Sequence, residues 1–164
     1  MTRVTDSVSE PSVTLREITD ENREAVVALG VTSAQELFVA GVAHSLEEAD
    51  ATPRASPWHR AIYAGETPVG FVMLSWDVTP GPGIRGPWFL WRLLIDEHHQ
   101  RRGYGRLALE RVIELITAAG ATELFTSYQP GDGEPWPFYE RFGFRPTGEL
   151  DETEIVLKLD LVRR

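Results

Sequence analysis

The chain has 164 residues, a formal net charge of −9, 42% hydrophobic residues and no cysteine. That length suggests one domain with a substantial core, and the lack of cysteine excludes a disulfide scaffold, a thiol nucleophile and a thiolate-bound metal. The acidic balance argues against nucleic acid as a main partner, because a phosphate backbone needs a basic face. No apolar run is long enough to cross a bilayer, so a membrane partner is not expected.

Met1 to Pro11 is polar, lacks the apolar stretch of a signal peptide, and reads as a disordered lead-in to a single domain over 12–164. Val13 to Ile18 alternates like a strand. Thr19 or Asp20 can cap a helix running to about Leu29, and Thr32 or Ser33 a second one from Ala34 to about Gly41, with Leu37 and Phe38 facing inward. A third helical piece is expected from Ser45 to Asp50, where Glu48 would complete a capping box. Ala51 to Pro57 reads as a loop.

Trp58 to Ala64 and Pro68 to Trp76 read as two strands joined at Gly65-Glu66, and Thr79 to Pro87 as a stiff Gly/Pro-rich connection. Phe89 to Ile95 is nearly all apolar, so it is expected to be a central strand covered on both faces. The strongest helix signal runs from Gly103 to Ala119, with Gly120 as its terminator. Then come a strand over Thr122 to Ser127, a loop over Pro130 to Pro135, a short helix from Trp136 to Phe142, and two strands, Phe144 to Gly148 and Glu154 to Leu159. Early strands, one crossover helix and late strands make an α/β or α+β fold on one mixed sheet.

The junction Gln100-Arg101-Arg102-Gly103-Tyr104-Gly105 carries the chemistry. A strand, a Gly-containing turn with free N–H groups and a helix N-terminus form an anion site. Arg101, Arg102 and Arg106 gather positive charge there in an otherwise acidic chain. No Gly-Lys-Ser/Thr follows, and the glycine spacing is not that of a dinucleotide site.

Leu93 to Arg106 resembles the acetyl-CoA motif of the GNAT N-acetyltransferase superfamily, Gln/Arg-x-x-Gly-x-Gly/Ala after the fourth strand, and Tyr139-Glu140-Arg141-Phe142-Gly143-Phe144 resembles its Tyr-x-x-x-Gly-Phe signature. The segments Ile18 to Asn22, Val31 to Ala40, Ser45 to Ala49, Val69 to Met73, Leu90 to Asp96 and Pro146 to Glu149 are similar to the bacterial spermine/spermidine acetyltransferases. The resemblance implies the GNAT fold, a mixed central sheet of about six to seven strands flanked by about four helices. It implies acetyl transfer from acetyl-CoA to a small primary amine such as spermidine or spermine, in the cytoplasm and without a metal. The alternatives are a peptide-amine acetyltransferase and a non-catalytic acyl-CoA-binding module. A homodimer is compatible with it.

By the same resemblance, Leu93, Leu94 and Ile95 would pair with the pantetheine arm. Gln100, Arg101, Arg102, Gly103, Tyr104, Gly105 and Arg106 would hold the pyrophosphate, and Tyr139 would protonate the departing thiolate. Asp132 stands where many relatives have an Asn that touches the cofactor, and a carboxylate would repel phosphate there. No carboxylate lies on the fourth strand to act as base, which leaves Glu36, Asp77 and Glu134 as candidates for the amine side, or a chain of waters. Glu47, Glu48 and Asp50 are further acids near the expected acceptor region, and Trp76, Trp88, Trp91 and Trp136 offer faces for cation–π contact. His98 and His99 read as loop residues, and His44 and His59 have no partner that the sequence identifies.

Overall fold

The computed structural model describes residues 11–162, so residues 1–10 of the expected lead-in lie outside the described residues. The elements are β1 (Thr14–Arg16), α1 (Arg23–Val27), α2 (Val42–Ala51), β2 (Pro57–Ala64), β3 (Thr67–Ser75), β4 (Phe89–Ile95), α3 (Tyr104–Ala118), β5 (Glu123–Tyr128), α4 (Trp136–Phe142), β6 (Arg145–Asp151) and β7 (Glu154–Asp160). The strands form one seven-stranded sheet in the order β1-β2-β3-β4-β5-β7-β6. Neighbours are antiparallel except β4 and β5, which are parallel and joined through α3. This is a mixed α+β fold, as the element order suggested.

Both faces of the sheet are covered. On one side α3 buries Ala108, Leu109, Val112, Ile113 and Ile116 against Val72, Leu74, Leu90 and Leu124. On the other side Val26 of α1 and Val42, Leu46 and Ala49 of α2 pack on Ala61, Phe71, Met73 and Leu94. Two covered faces explain why β3 and β4 read as apolar runs rather than alternating ones.

The amino-terminal third departs from expectation. α1 spans only Arg23–Val27, and its lead-in is fixed by Asn22, whose side chain accepts from the Thr19 N–H at 2.8 Å and donates to the Glu17 carbonyl at 3.0 Å. The expected helix over Ala34 to Gly41 is a single 3₁₀ turn at Gln35–Leu37, and Leu37 is 77% exposed instead of facing inward. With Leu37 outside, the segment buries Phe38 and Val39 only in part, too little apolar surface to hold a short helix together. α2 begins three residues early. Ser45 is inside it, bonded back to the Gly41 carbonyl at 2.8 Å, so the capping box does not form.

A bulge in β4 shapes the centre of the sheet. Met73 pairs with Arg92 and Leu74 with Leu90, so Trp91 is an extra residue in that strand. A bulge bends a strand and ends regular pairing. β4 and β5 accordingly pair only at Phe89 with Phe125 and Leu90 with Thr126, then diverge.

Candidate active site

The divergence of β4 from β5 opens a cleft of about 1090 Å³. Its floor is β4 from Phe89 to Ile95, one wall is β5 with α4, and the other wall is the Gln35–Leu37 turn and α2. The bulge sets which groups enter it. Leu90 and Leu93 belong to the α3 side, whereas Arg92 reaches Glu48 on α2. A side chain built on Gly70 of β3 would collide with the Leu94 carbonyl, so the Leu94 main chain faces β3. By strand alternation Leu93 and Ile95 then present their main-chain groups to the open edge. There the Gln100 side chain donates to the Ile95 carbonyl at 2.9 Å.

The turn after β4 is held by buried Asp96. It accepts from the Gly30 N–H at 3.0 Å and the His98 N–H at 3.2 Å, and faces His99 Nδ1 at 3.0 Å. Burial alone would raise this carboxyl, but those three donors outweigh it and hold the group below the usual carboxylate range. Beyond it, Arg101 (φ 65°) and Gly103 (φ 80°) take left-handed conformations, and α3 starts at Tyr104 with no side chain capping its N–H groups. Arg101 and Arg102 are exposed, while Arg106 is tied to Glu110 at 2.8 Å. The free N–H groups and the two exposed arginines leave a turn that suits an anion. Gln100 also shares a reciprocal amide pair with Gln35, at 2.8 and 3.0 Å, which joins this turn to the opposite wall.

Tyr139 enters from the α3 side. Gly143 (φ 118°) ends α4, and the Phe144 N–H bonds the Tyr139 carbonyl at 3.0 Å. Fully buried Phe144 packs edge-on to the Tyr139 ring, with centroids 5.3 Å apart. That is the physical content of the Tyr-x-x-x-Gly-Phe pattern: a left-handed glycine lets the chain fold back and clamp the tyrosine. Pro135 and Pro137 do not disturb it, because both lie where a helix begins and no N–H is missed. Burial pushes the Tyr139 phenol up to about 12, partly offset by a hydrogen bond with Thr126. Thr126 is itself buried at the apex of the cleft and donates to the Leu90 carbonyl at 2.9 Å.

Of the residues singled out in the sequence, Leu93, Leu94, Ile95, Gln100, Tyr139, Glu36 and Glu134 line this one cleft. Glu134 is engaged locally, accepting from the Gly131 N–H at 2.9 Å. Arg101 to Arg106 sit outside the lining, on the turn beyond Gln100. Asp77 and Asp132 do not line the cleft. Trp76 and Trp88 pack with Trp58 in the core, at 4.9 and 5.2 Å between successive rings, so neither offers a face to a ligand. Trp91 does line the cleft. His44 has a partner after all, Glu48 at 2.8 Å.

The sequence reading missed Arg92, Thr126, Asp151, Glu152 and Glu154, all of which line the cleft. One signal was present: a lone charge, Arg92, in an apolar strand requires a counter-charge nearby. Glu48 supplies it at 2.8 Å. Among the described residues no group of acidic, His or Cys side chains has the arrangement to hold a metal ion, and no helix is long and apolar enough to cross a membrane.

Comparison with known proteins agrees with this geometry. The pattern that defines the acetyltransferase (GNAT) family matches residues 18–144. A spermine/spermidine N(1)-acetyltransferase of Bacillus subtilis (strain 168) is 29% identical over 142 residues, covering 85% of this chain and 92% of that protein. A probable spermine N(1)-acetyltransferase of Bacillus subtilis subsp. natto matches with the same identity and coverage. Among solved structures, the PaiA N-acetyltransferase of Thermoplasma acidophilum, crystallised with coenzyme A, superposes with a TM-score of 0.65. It is 14% identical and covers 91% of this chain and 99% of its own.

Proposed function

The chain belongs to the acetyltransferase (GNAT) family, and from that premise we propose that it acetylates a primary amine of the polyamine class, such as spermidine or spermine. The family's enzymes take the acetyl group from acetyl-CoA, which is a co-substrate consumed in each turnover. The observation that carries the polyamine reading is the charge of the cleft: six carboxylates line it against two guanidinium groups. A flexible cation with several ammonium groups is the small-molecule chemistry that such a wall attracts. The names of the two Bacillus relatives point the same way.

The residues present fit acetyl-CoA. The uncapped start of α3, with Gly103 and Gly105, suits a pyrophosphate, and Arg101 and Arg102 are free to add charge-assisted contacts. The open edge at Leu93 and Ile95 suits an amide-rich arm that adds to the sheet like a strand. Asp132 is not among the residues that line the cleft, although its neighbours Gly133 and Glu134 are.

Tyr139 serves the departing sulfur. An ordinary thiol has a pKa near 8.5, well below a phenol pushed up to about 12, so full proton transfer from Tyr139 to the thiolate is uphill. The phenol therefore acts first as a neutral hydrogen-bond donor to the charge developing on sulfur. It yields its proton only as the amine nitrogen releases one. At rest the phenol donates to Thr126, whose own O–H is given to the Leu90 carbonyl, so serving the sulfur requires the phenol O–H to rotate away from Thr126.

The test is thiol release from acetyl-CoA with spermidine, spermine, putrescine, aminoglycosides, amino acids and short peptides. Selective turnover of polyamines is the expected result. Turnover of peptides alone would keep the donor chemistry and move the acceptor to a protein amine.

A further inference from the structure

We infer that Glu154, at the start of β7, is the carboxylate that takes the proton from the acceptor ammonium beside the acetyl group, a role that rests on the amine-acetylation reading above. The six carboxylates of the cleft are not equivalent. Glu48 is held by Arg92 and His44, both at 2.8 Å. Asp151 is held by Arg85 at 3.2 Å, and Glu134 by the Gly131 N–H at 2.9 Å. Glu36 and Glu152 are exposed, where water competes for any cation. Glu154 is half-buried, and its hydrogen-bond partner is the Ser127 hydroxyl at 3.5 Å. It is the carboxylate in the cleft that is both sheltered and uncommitted.

Its position relative to Tyr139 follows from the sheet. Thr126 and Ser127 are consecutive on β5 and point to opposite faces. Thr126 touches Tyr139 on the α3 side, and Ser127 touches Glu154 on the α2 side. The opening between β4 and β5 therefore has a phenol on one face and a free carboxylate on the other. That is the disposition needed to receive a thioester between a leaving-group donor and an incoming amine.

The charges around Glu154 sharpen it as a base. Asp151 and Glu152 from its own hairpin repel its negative charge, and Arg92 from β4 attracts it, with Ser127 from β5 adding a weak hydrogen bond. Glu48 on α2 already holds Arg92. Burial is the largest influence, and the net effect raises Glu154 above the usual carboxylate range. A base closer to neutrality accepts a proton more effectively.

Atoms and charge balance across the step. The ammonium R–NH3⁺ gives one proton to Glu154, which passes it to water. The neutral nitrogen forms the C–N bond at the acetyl carbon, and the C–S bond breaks. The nitrogen then loses its second proton to water, Tyr139 gives its own to the sulfur, and water returns one to Tyr139. The products are R–NH–CO–CH3, CoA–SH and one released proton.

The experiment compares wild type with Glu154→Gln and Glu154→Asp on the best amine of the panel, reading kcat, both KM values, the pH profile and Tm. For Glu154→Gln we expect kcat/KM for the amine to fall about 100-fold, with the acid limb of the profile lost. KM for acetyl-CoA should be unchanged and Tm unchanged or higher. Glu154→Asp should recover part of the rate. The Tm expectation separates catalysis from structure: a carboxylate whose pKa is raised on folding costs stability above its unfolded pKa, so removing it relieves the fold. A Glu154→Gln enzyme within threefold of wild type, with its acid limb intact, overturns the inference and leaves the acetyltransferase reading standing. A wild type that turns over no amine overturns both.

Discussion

On the proposed reading, the donor half and the acceptor half of the site are built in opposite ways. The donor half is one continuous stretch, the end of β4, a turn and the first residues of α3, and it works mainly through main-chain groups. The acceptor half is assembled from α2, β4, β5 and the β6–β7 hairpin, and it works through side chains whose charges are set by one another. Main-chain anion binding tolerates sequence change around a few glycines, whereas a side-chain network changes specificity with any member. One fold can thus keep its donor while its acceptor varies.

The sharpest way to break this division is at the residue between the halves. Tyr139→Phe removes the hydroxyl and keeps the ring that packs on Phe138 and Phe144. A fall of about 100-fold in kcat is expected, with acetyl-CoA affinity by calorimetry nearly unchanged. Turnover at the wild-type rate would remove Tyr139 from the mechanism. The raised phenol also predicts that Tyr139 causes no alkaline loss of activity below its ordinary value near 10. Stability should fall only as pH climbs from there toward about 12, where the buried group is forced to ionise.

A smaller effect is expected from the donor half. Replacing Arg101 and Arg102 together by Gln should raise KM for acetyl-CoA about fivefold, because exposed charge contacts contribute about 1 kcal/mol as a pair. KM for the amine should not move, and the defect should shrink at high salt as screening weakens the wild type. A parallel rise in both KM values would mean that the halves are not separable.

The contrast also explains what the sequence revealed. The glycine turn before α3, the long α3 itself and the Gly143 end of α4 that clamps Tyr139 were legible because each is local: a glycine at a left-handed position, a helix period, a helix end. The succession of strands along the chain followed from their alternation and the turn residues between them. The helix expected near Leu37 failed because propensity cannot say whether a stripe will find a core. The bulge at Trp91 was invisible, since only the register of β3 against β4 defines it. Glu154 was hidden for the same reason: its value depends on which other carboxylates are already held, and those partners come from distant segments.

That dependence gives the next test. Glu48→Gln frees Arg92 from its ion pair, and Arg92 already attracts Glu154. A stronger pull from Arg92 favours the charged carboxylate, so the pKa of Glu154 should fall. The acid limb of the pH profile should move to lower pH, and KM for the polyamine should rise about three- to tenfold, as the added positive field repels a cation. KM for acetyl-CoA should stay put. A limb that moves to higher pH would show that Arg92 does not act on the base.

The smallest expected effect probes the seam where the two halves meet. Gln35, on the acceptor wall, and Gln100, at the head of the phosphate turn, exchange hydrogen bonds through their amides at 2.8 and 3.0 Å. Gln35→Ala takes the donor from Gln100 Oε1, but Gln100 is only half-buried, so water can replace it, and its Nε2 keeps the bond to the Ile95 carbonyl at 2.9 Å. The cost should be about 1 kcal/mol, a drop in Tm of about 2–4 °C. The informative readout is kinetic. A seam that only adds stability would lower Tm and leave both KM values alone. A seam that fixes the distance between the halves would raise both KM values about twofold together, since misplacing a reactant is felt at every bond it makes. The reciprocal geometry favours the second outcome: an amide pair fixes separation and orientation at once, and it spans the cleft at the point where β4 leaves the sheet.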